Sequence, residues 1–146
     1  MMVNLKPKVV FLIDGLGAVL TALLLLAVLI PFYIYFGMPR EVLVVLSGLA
    51  VVLAAYSFFC FVFSANNWEK RLKRIVGANV VYCFLTLGSL VYFYDRLTIL
   101  GVTYFLGELL VIFGLIIFET KVLIAHKQRL KHGLPSDNRR RGAKSF

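Results

Sequence analysis

VVFLIDGLGAVLTALLLLAVLIPFYIYF, residues 9–36, carries a single charged side chain, Asp14, in twenty-eight positions. An α-helix rises about 1.5 Å per residue, so roughly 20 apolar residues cross a hydrocarbon layer about 30 Å thick. The stretch is long enough to do so. Three further runs repeat the pattern: residues 42–63 and 75–94 hold no charge, and residues 97–118 hold only Glu108. Between them lie short polar breaks, GMPRE at 37–41, residues 64–74, and Asp95-Arg96. Gly37 and Pro39 suit a tight turn, and connections this short make neighbouring helices antiparallel. The chain therefore reads as all-α, an integral membrane four-helix bundle of up-down-up-down order. The bundle is expected over residues 1–132, with the last helix extending from the 97–118 span to about residue 132. A basic, disordered cytoplasmic tail is expected at 133–146, because Gly133 and Pro135 form a common helix stop.

Composition agrees. Of 146 residues, 61% are hydrophobic and only 16% are charged, with a mean hydropathy of +0.90. A soluble domain covers its surface with roughly 25% charged residues, so the shortfall implies an outer face that meets lipid. The N-terminal run greatly exceeds the 7–15 residues of a signal-peptide core, and no small-residue cleavage site follows it. It is expected to be retained as a span.

Lysine and arginine set the expected orientation. Fourteen lie on one side of the predicted topology: Lys6 and Lys8, then Lys70, Arg71, Lys73 and Arg74, then the eight that follow the fourth span. Only Arg40 and Arg96 lie on the other. The positive-inside bias then puts both termini in the cytoplasm of a cell inner (plasma) membrane protein. Tyrosine and phenylalanine at 32–36 and 92–94, with Trp68, suit the two interfaces. Lys70, Arg71, Lys73 and Arg74, with Arg139, Arg140 and Arg141, are expected to contact anionic lipid headgroups, each worth about 1 kcal/mol near such a surface. The same charges are not read as a nucleic-acid patch.

Ionisable groups inside a membrane cost about 2.5–3.5 kcal/mol at the centre on insertion scales, so the acids are the functional leads. Glu108 lies about 16 Å into the fourth span, near mid-membrane, where it must face the bundle interior or carry a proton. Asp14 lies about 8 Å in from the edge, with Asn79 at a similar depth on span three. A cytoplasmic-side cluster of Asp14, Cys60, Asn79, Tyr82 and Glu119 is geometrically feasible. The candidate intramembrane polar site is thus Asp14, Asn79, Tyr82, Tyr104, Glu108 and Glu119. Helical spacing aligns Asp14, Gly17, Ala18 and Thr21, and likewise Tyr104, Glu108, Leu115 and Glu119. Close helix packing in lipid asks for the same small and hydroxyl residues.

Other chemistry is thinly represented. Cys60 and Cys83 have no C-x-x-C spacing and suit small apolar fillers. His126 and His132 are six apart and share no helical face, so no metal site is expected. Asp14-Gly15-Leu16-Gly17 lacks the third glycine and the preceding strand of a dinucleotide fingerprint. No catalytic residue and no cofactor is assigned.

The segment FLIDGLGA at 11–18 resembles the start of a family of small four-span bacterial inner-membrane proteins. FGMP at 36–39, YSFFC at 56–60, Asn67-Trp68 and ANVVYC at 78–83 are similar to their later segments. The resemblance covers roughly residues 9–120. It implies an inner-membrane four-helix protein and brings no activity with it. DoxX-type membrane proteins are similar in span count only.

Three functions fit. The favoured one is a non-enzymatic membrane protein whose bundle packs with itself, as a homo-oligomer, or with a membrane partner protein. The second is an oligomeric small transporter or channel subunit using Glu108. The third is a lipid- or quinone-directed enzyme using Asp14, Asn79, Tyr82 and Glu119, which requires those four side chains to reach a common point.

Overall fold

The computed structural model describes residues 6–63 and 67–133. Its elements are helical throughout: α1 (Pro7–Leu24), a π-helical turn (Leu25–Leu29), α2 (Tyr33–Phe36), α3 (Arg40–Val62), α4 (Trp68–Tyr92) and α5 (Ile99–His132). Four helices are long and apolar enough to cross a membrane: Pro7–Leu29, Arg40–Val62, Trp68–Tyr92 and Ile99–His132.

Two boundaries differ from the sequence reading. The first apolar run is not one helix to residue 36. Pro31 has no amide hydrogen, and its ring crowds the carbonyl four residues earlier. The helix widens into the π turn and then breaks at residues 30–32, leaving α2 as a separate turn. The third helix begins at Trp68 rather than residue 75. Lys70, Arg71, Lys73 and Arg74 are good helix formers, so charge marks the membrane edge without ending the helix. Lys70, Lys73 and Arg74 are exposed. Arg71 instead donates to the Phe63 carbonyl at 3.0 Å and lies over the Phe59 ring, closing the end of α3. It thus has partners inside the fold. The α5 helix does run to His132, 34 residues or about 50 Å, well beyond a 30 Å layer. Arg139, Arg140, Arg141 and the expected tail beyond Gly133 lie outside the described residues.

α1 packs most extensively on α3, α4 on α5 and α3 on α4, whereas α1 and α5 barely meet. The interior is layered. One apolar layer gathers Val10 and Phe11 of α1, Cys60 of α3, Leu72 and Ile75 of α4, and Val122 of α5. The other gathers Leu25, Leu43, Leu46, Ala50, Tyr82, Leu90, Phe105 and Ile112. Outside the layers, large apolar side chains such as Leu20, Val52, Phe84 and Leu110 are exposed, as a lipid-facing surface would have them.

The join between α2 and α5 is made of backbone. Gly37 takes φ +76° as the left-handed cap of α2. A Cβ there would stand 2.0 Å from the Arg96 carbonyl oxygen. Thr98 caps α5, accepting from the Gly101 amide at 3.2 Å and donating to the Tyr35 carbonyl at 2.6 Å. An N-cap is worth about 1 kcal/mol, and the second bond adds to it. Thr98→Ala should therefore lower stability by about 1–2 kcal/mol, seen as a fall of several degrees in a circular-dichroism melt in detergent. An unchanged melt would mean that the cap is dispensable.

Candidate functional site

Each long helix sends one polar side chain into the plane between the two apolar layers: Asp14 from α1, Ser57 from α3, Asn79 from α4 and Glu119 from α5. None is more than 6% exposed. They reach this plane because each follows its own helix's buried stripe, for instance Phe11–Asp14 on α1 and Ile75–Asn79–Tyr82 on α4, at spacings of three or four. Asp14 is well served. The Ser57 hydroxyl donates to its Oδ2, and Asn79 Nδ2 donates to its Oδ1 at 2.7 Å.

Glu119 is not. It is 0% exposed, and its carboxyl interacts with the Asp14 carboxyl and the Asn79 amide, neither of which makes a well-formed hydrogen bond to it. Among the described residues, no lysine, arginine or histidine is buried. Two carboxyls therefore share an interior without a cation to offset them.

Farther along the bundle a second pair forms. The Tyr82 hydroxyl donates to Glu108 Oε1 at 2.8 Å, while Glu108 Oε2 has no partner. Tyr104 lies beside Glu108, and the buried Thr86 hydroxyl lies beside Tyr82. Between the two groups is a cavity of about 20 Å³, lined by Gly17, Thr21, Ala50, Asn79 and Tyr82 among others. That is room for about one water with polar partners.

A larger crevice, about 350 Å³, separates α1 from α5 and reaches Glu108. Another groove, about 390 Å³ between α4 and α5, is lined by apolar side chains and Cys83.

The six residues singled out from the sequence thus fall into two groups. Asp14, Asn79 and Glu119 meet, joined by Ser57, which is not among the six. Tyr82, Tyr104 and Glu108 form the other group. The four-residue constellation expected of a membrane enzyme is not assembled, because the Tyr82 hydroxyl is taken by Glu108. Cys60 also stands apart from Asp14, packed in the apolar layer nearer Arg71. Among the described residues, no group of His, Cys, Asp and Glu could hold a metal ion.

The sequence reading missed one contact between α4 and α5. His126 Nε2 lies 3.0 Å from Glu69 Oε1, and its ring meets Trp68 edge-on with centroids 4.5 Å apart. Both partners are about a third exposed, so the ion pair adds little. The aromatic contact, about 0.5–1.5 kcal/mol in its own right, ties the start of α4 to the far end of α5.

No family model matches this chain, and neither curated proteins nor solved structures yield a match.

Proposed function

We propose that this chain is a small multi-pass membrane carrier that binds and moves protons through the buried carboxyl pair Asp14 and Glu119. The observation that carries the reading is Glu119, fully buried against a second carboxyl and without a well-formed hydrogen bond to either Asp14 or Asn79. An acid kept only to lock helices together would have its oxygens satisfied, as those of Asp14 are. Two adjacent carboxyls without a cation favour holding one proton between them. Gain and loss of that proton then changes the charge of the layer by one. Asp14 already accepts from Ser57 and Asn79, so Glu119 is the group proposed to take up the proton.

The surrounding architecture belongs to the same proposal. Alternating chain direction is supported by the apolar layers, which join the start of α1 and α4 to the end of α3 and α5. Loop charge supports cytoplasmic termini in a cell inner membrane, with Lys70, Lys73 and Arg74 toward anionic headgroups. Resemblance to the small four-span bacterial proteins is in keeping with this. Four helices rarely enclose a pathway alone, so a homo-oligomer is the working form.

The test is proton flux into liposomes containing the purified full chain and a trapped pH-sensitive dye, driven by a potassium diffusion potential. Wild type should acidify the lumen faster than protein-free liposomes, and Glu119→Gln and Asp14→Asn should each lower the protein-dependent rate at least about ten-fold while the helical spectrum is kept. Wild-type flux equal to that of empty liposomes, or Glu119→Gln flux equal to wild type, would sink the carrier reading. The packing reading, favoured by the fully bonded Asp14, would then stand.

A further inference from the structure

We propose that the crevice between α1 and α5 binds a membrane-dissolved amine, an apolar body carrying one ammonium group, with Glu108 as its anchor. The argument begins with access. Gly17, Leu20, Thr21 and Leu24 form one wall, and Thr103, Tyr104, Gly107, Glu108 and Val111 form the other. Leu20, Leu24 and Val111 on its rim are exposed, on helices apolar enough to cross a membrane. The opening therefore faces the lipid side, and an occupant must first partition into lipid.

The floor specifies the polar group. Glu108 is 8% exposed, its Oε1 accepts from Tyr82, and its Oε2 accepts from nothing. The crevice wall contains no lysine, arginine or histidine to supply the missing donor. The Thr103 hydroxyl is already spent on the Ile99 carbonyl, and the Thr21 and Tyr104 hydroxyls on the walls make no hydrogen bond to Oε2. What remains is a buried carboxyl oxygen beside the crevice that lacks a donor. An ammonium would supply both the donor and positive charge, an arrangement in which a charge-assisted bond is about twice as strong as a neutral one. The Tyr104 ring on the same wall suits a cation as well.

Size agrees. The volume, about 350 Å³, falls at the lower end of the roughly 300–1,000 Å³ typical of small-molecule sites. Gly107 is what keeps the space open: a Cβ added there meets nothing within 4 Å, so a larger residue would fill the crevice rather than disturb the packing. The occupant is thus a compact amine, with the ammonium at Glu108 and its hydrocarbon between Leu20, Leu24 and Val111.

The proposal is independent of proton movement, because binding is read at equilibrium without a gradient. The probes are 4-phenylbutylamine and its neutral counterpart 4-phenylbutanol, titrated calorimetrically into the full chain in lipid nanodiscs, with empty nanodiscs subtracted. Wild type should bind the amine at least about ten-fold more tightly than the alcohol. Glu108→Gln should remove that preference, and Gly107→Leu should abolish saturable binding of both probes without lowering the melt. Equal affinity for the two probes, tighter binding of the alcohol, or amine binding that survives Gly107→Leu would each overturn the proposal. If Glu108→Gln fails to fold, the wild-type preference and the Gly107→Leu result still decide it.

Discussion

Glu119→Met will make the protein more stable and, under the proposed carrier function, will abolish the protein-dependent proton flux. Glu119 is 0% exposed, beside the Asp14 carboxyl and the Asn79 amide but without a well-formed hydrogen bond to either. Leaving a polar group buried and unsatisfied costs about 1–3 kcal/mol, more where it is charged. Methionine has a similar reach, is apolar, and adapts to irregular surroundings. The exchange removes the penalty and places an apolar side chain between Asp14 and the layer of Val10, Phe11 and Val122. A gain of about 1–3 kcal/mol raises the midpoint of a melt by roughly 2–4 °C per kcal/mol in a chain of this size. Asp14→Leu moves the other way. Ser57 and Asn79 both donate to Asp14, so its loss strands two buried donors. Interhelical hydrogen bonds in membranes are worth about 0.6 kcal/mol on average, and the expected loss is therefore about 1–2 kcal/mol. Opposite signs at neighbouring acids, read in one detergent by one method, separate a functional acid from a structural one. If Glu119→Met melts below wild type, Glu119 is holding the bundle together and the functional assignment loses its basis.

Gly101→Val will cost about 3 kcal/mol or more, with folded protein recovered poorly or not at all. Gly101 is buried in the first turn of α5. A Cβ there would stand 2.2 Å from the Phe36 carbonyl oxygen and 2.7 Å from Leu97 Cδ2. The leucine can rotate away, but the carbonyl belongs to the backbone of α2 and accepts the Thr98 amide at 3.2 Å. Relief requires the 36–37 turn and the start of α5 to part, breaking the Thr98 contacts as well. Overpacking alone costs typically 1–3 kcal/mol, and a forced backbone shift belongs to the severe tail of single substitutions. Gly107→Val is the matched control in the same helix, with open space at its Cβ and an expected change within about 1 kcal/mol. Size-exclusion profiles and melts of the pair check the prediction. Equal behaviour would mean that the approach of α2 to α5 is not tight.

The polar residues that matter were visible in the sequence because charge or amide is conspicuous in an apolar run. Asp14, Asn79, Glu108 and Glu119 stand out in this way, and Tyr82 and Tyr104 follow from helical spacing. Ser57 does not stand out, since a serine on a transmembrane helix is as readily a packing residue. Trp68 and Glu69 read as loop and interface from the sequence; a start of α4 at Trp68 is what brings them to His126 on α5. Pro31 was overlooked as a helix breaker because the hydropathy of residues 9–36 is unbroken.

By itself the sequence determined four long apolar helices. Backbone amides withdrawn from water must bond within their own helix, and 20 or more apolar residues in a row have no other comfortable environment. Only the tertiary structure decided which polar groups meet: Asp14 with Glu119, Tyr82 with Glu108, and a crevice left open between α1 and α5. The physical reason is that lipid and protein interior are equally apolar. In water, a hydrophobic stripe tells which face of a helix is buried. Here Leu20 and Leu25 look alike in sequence, yet one is 57% exposed and the other 0%. Helix rotation is then set by small-residue contacts and by the few polar partners, between positions as distant as Asp14 and Glu119, and no periodicity records that.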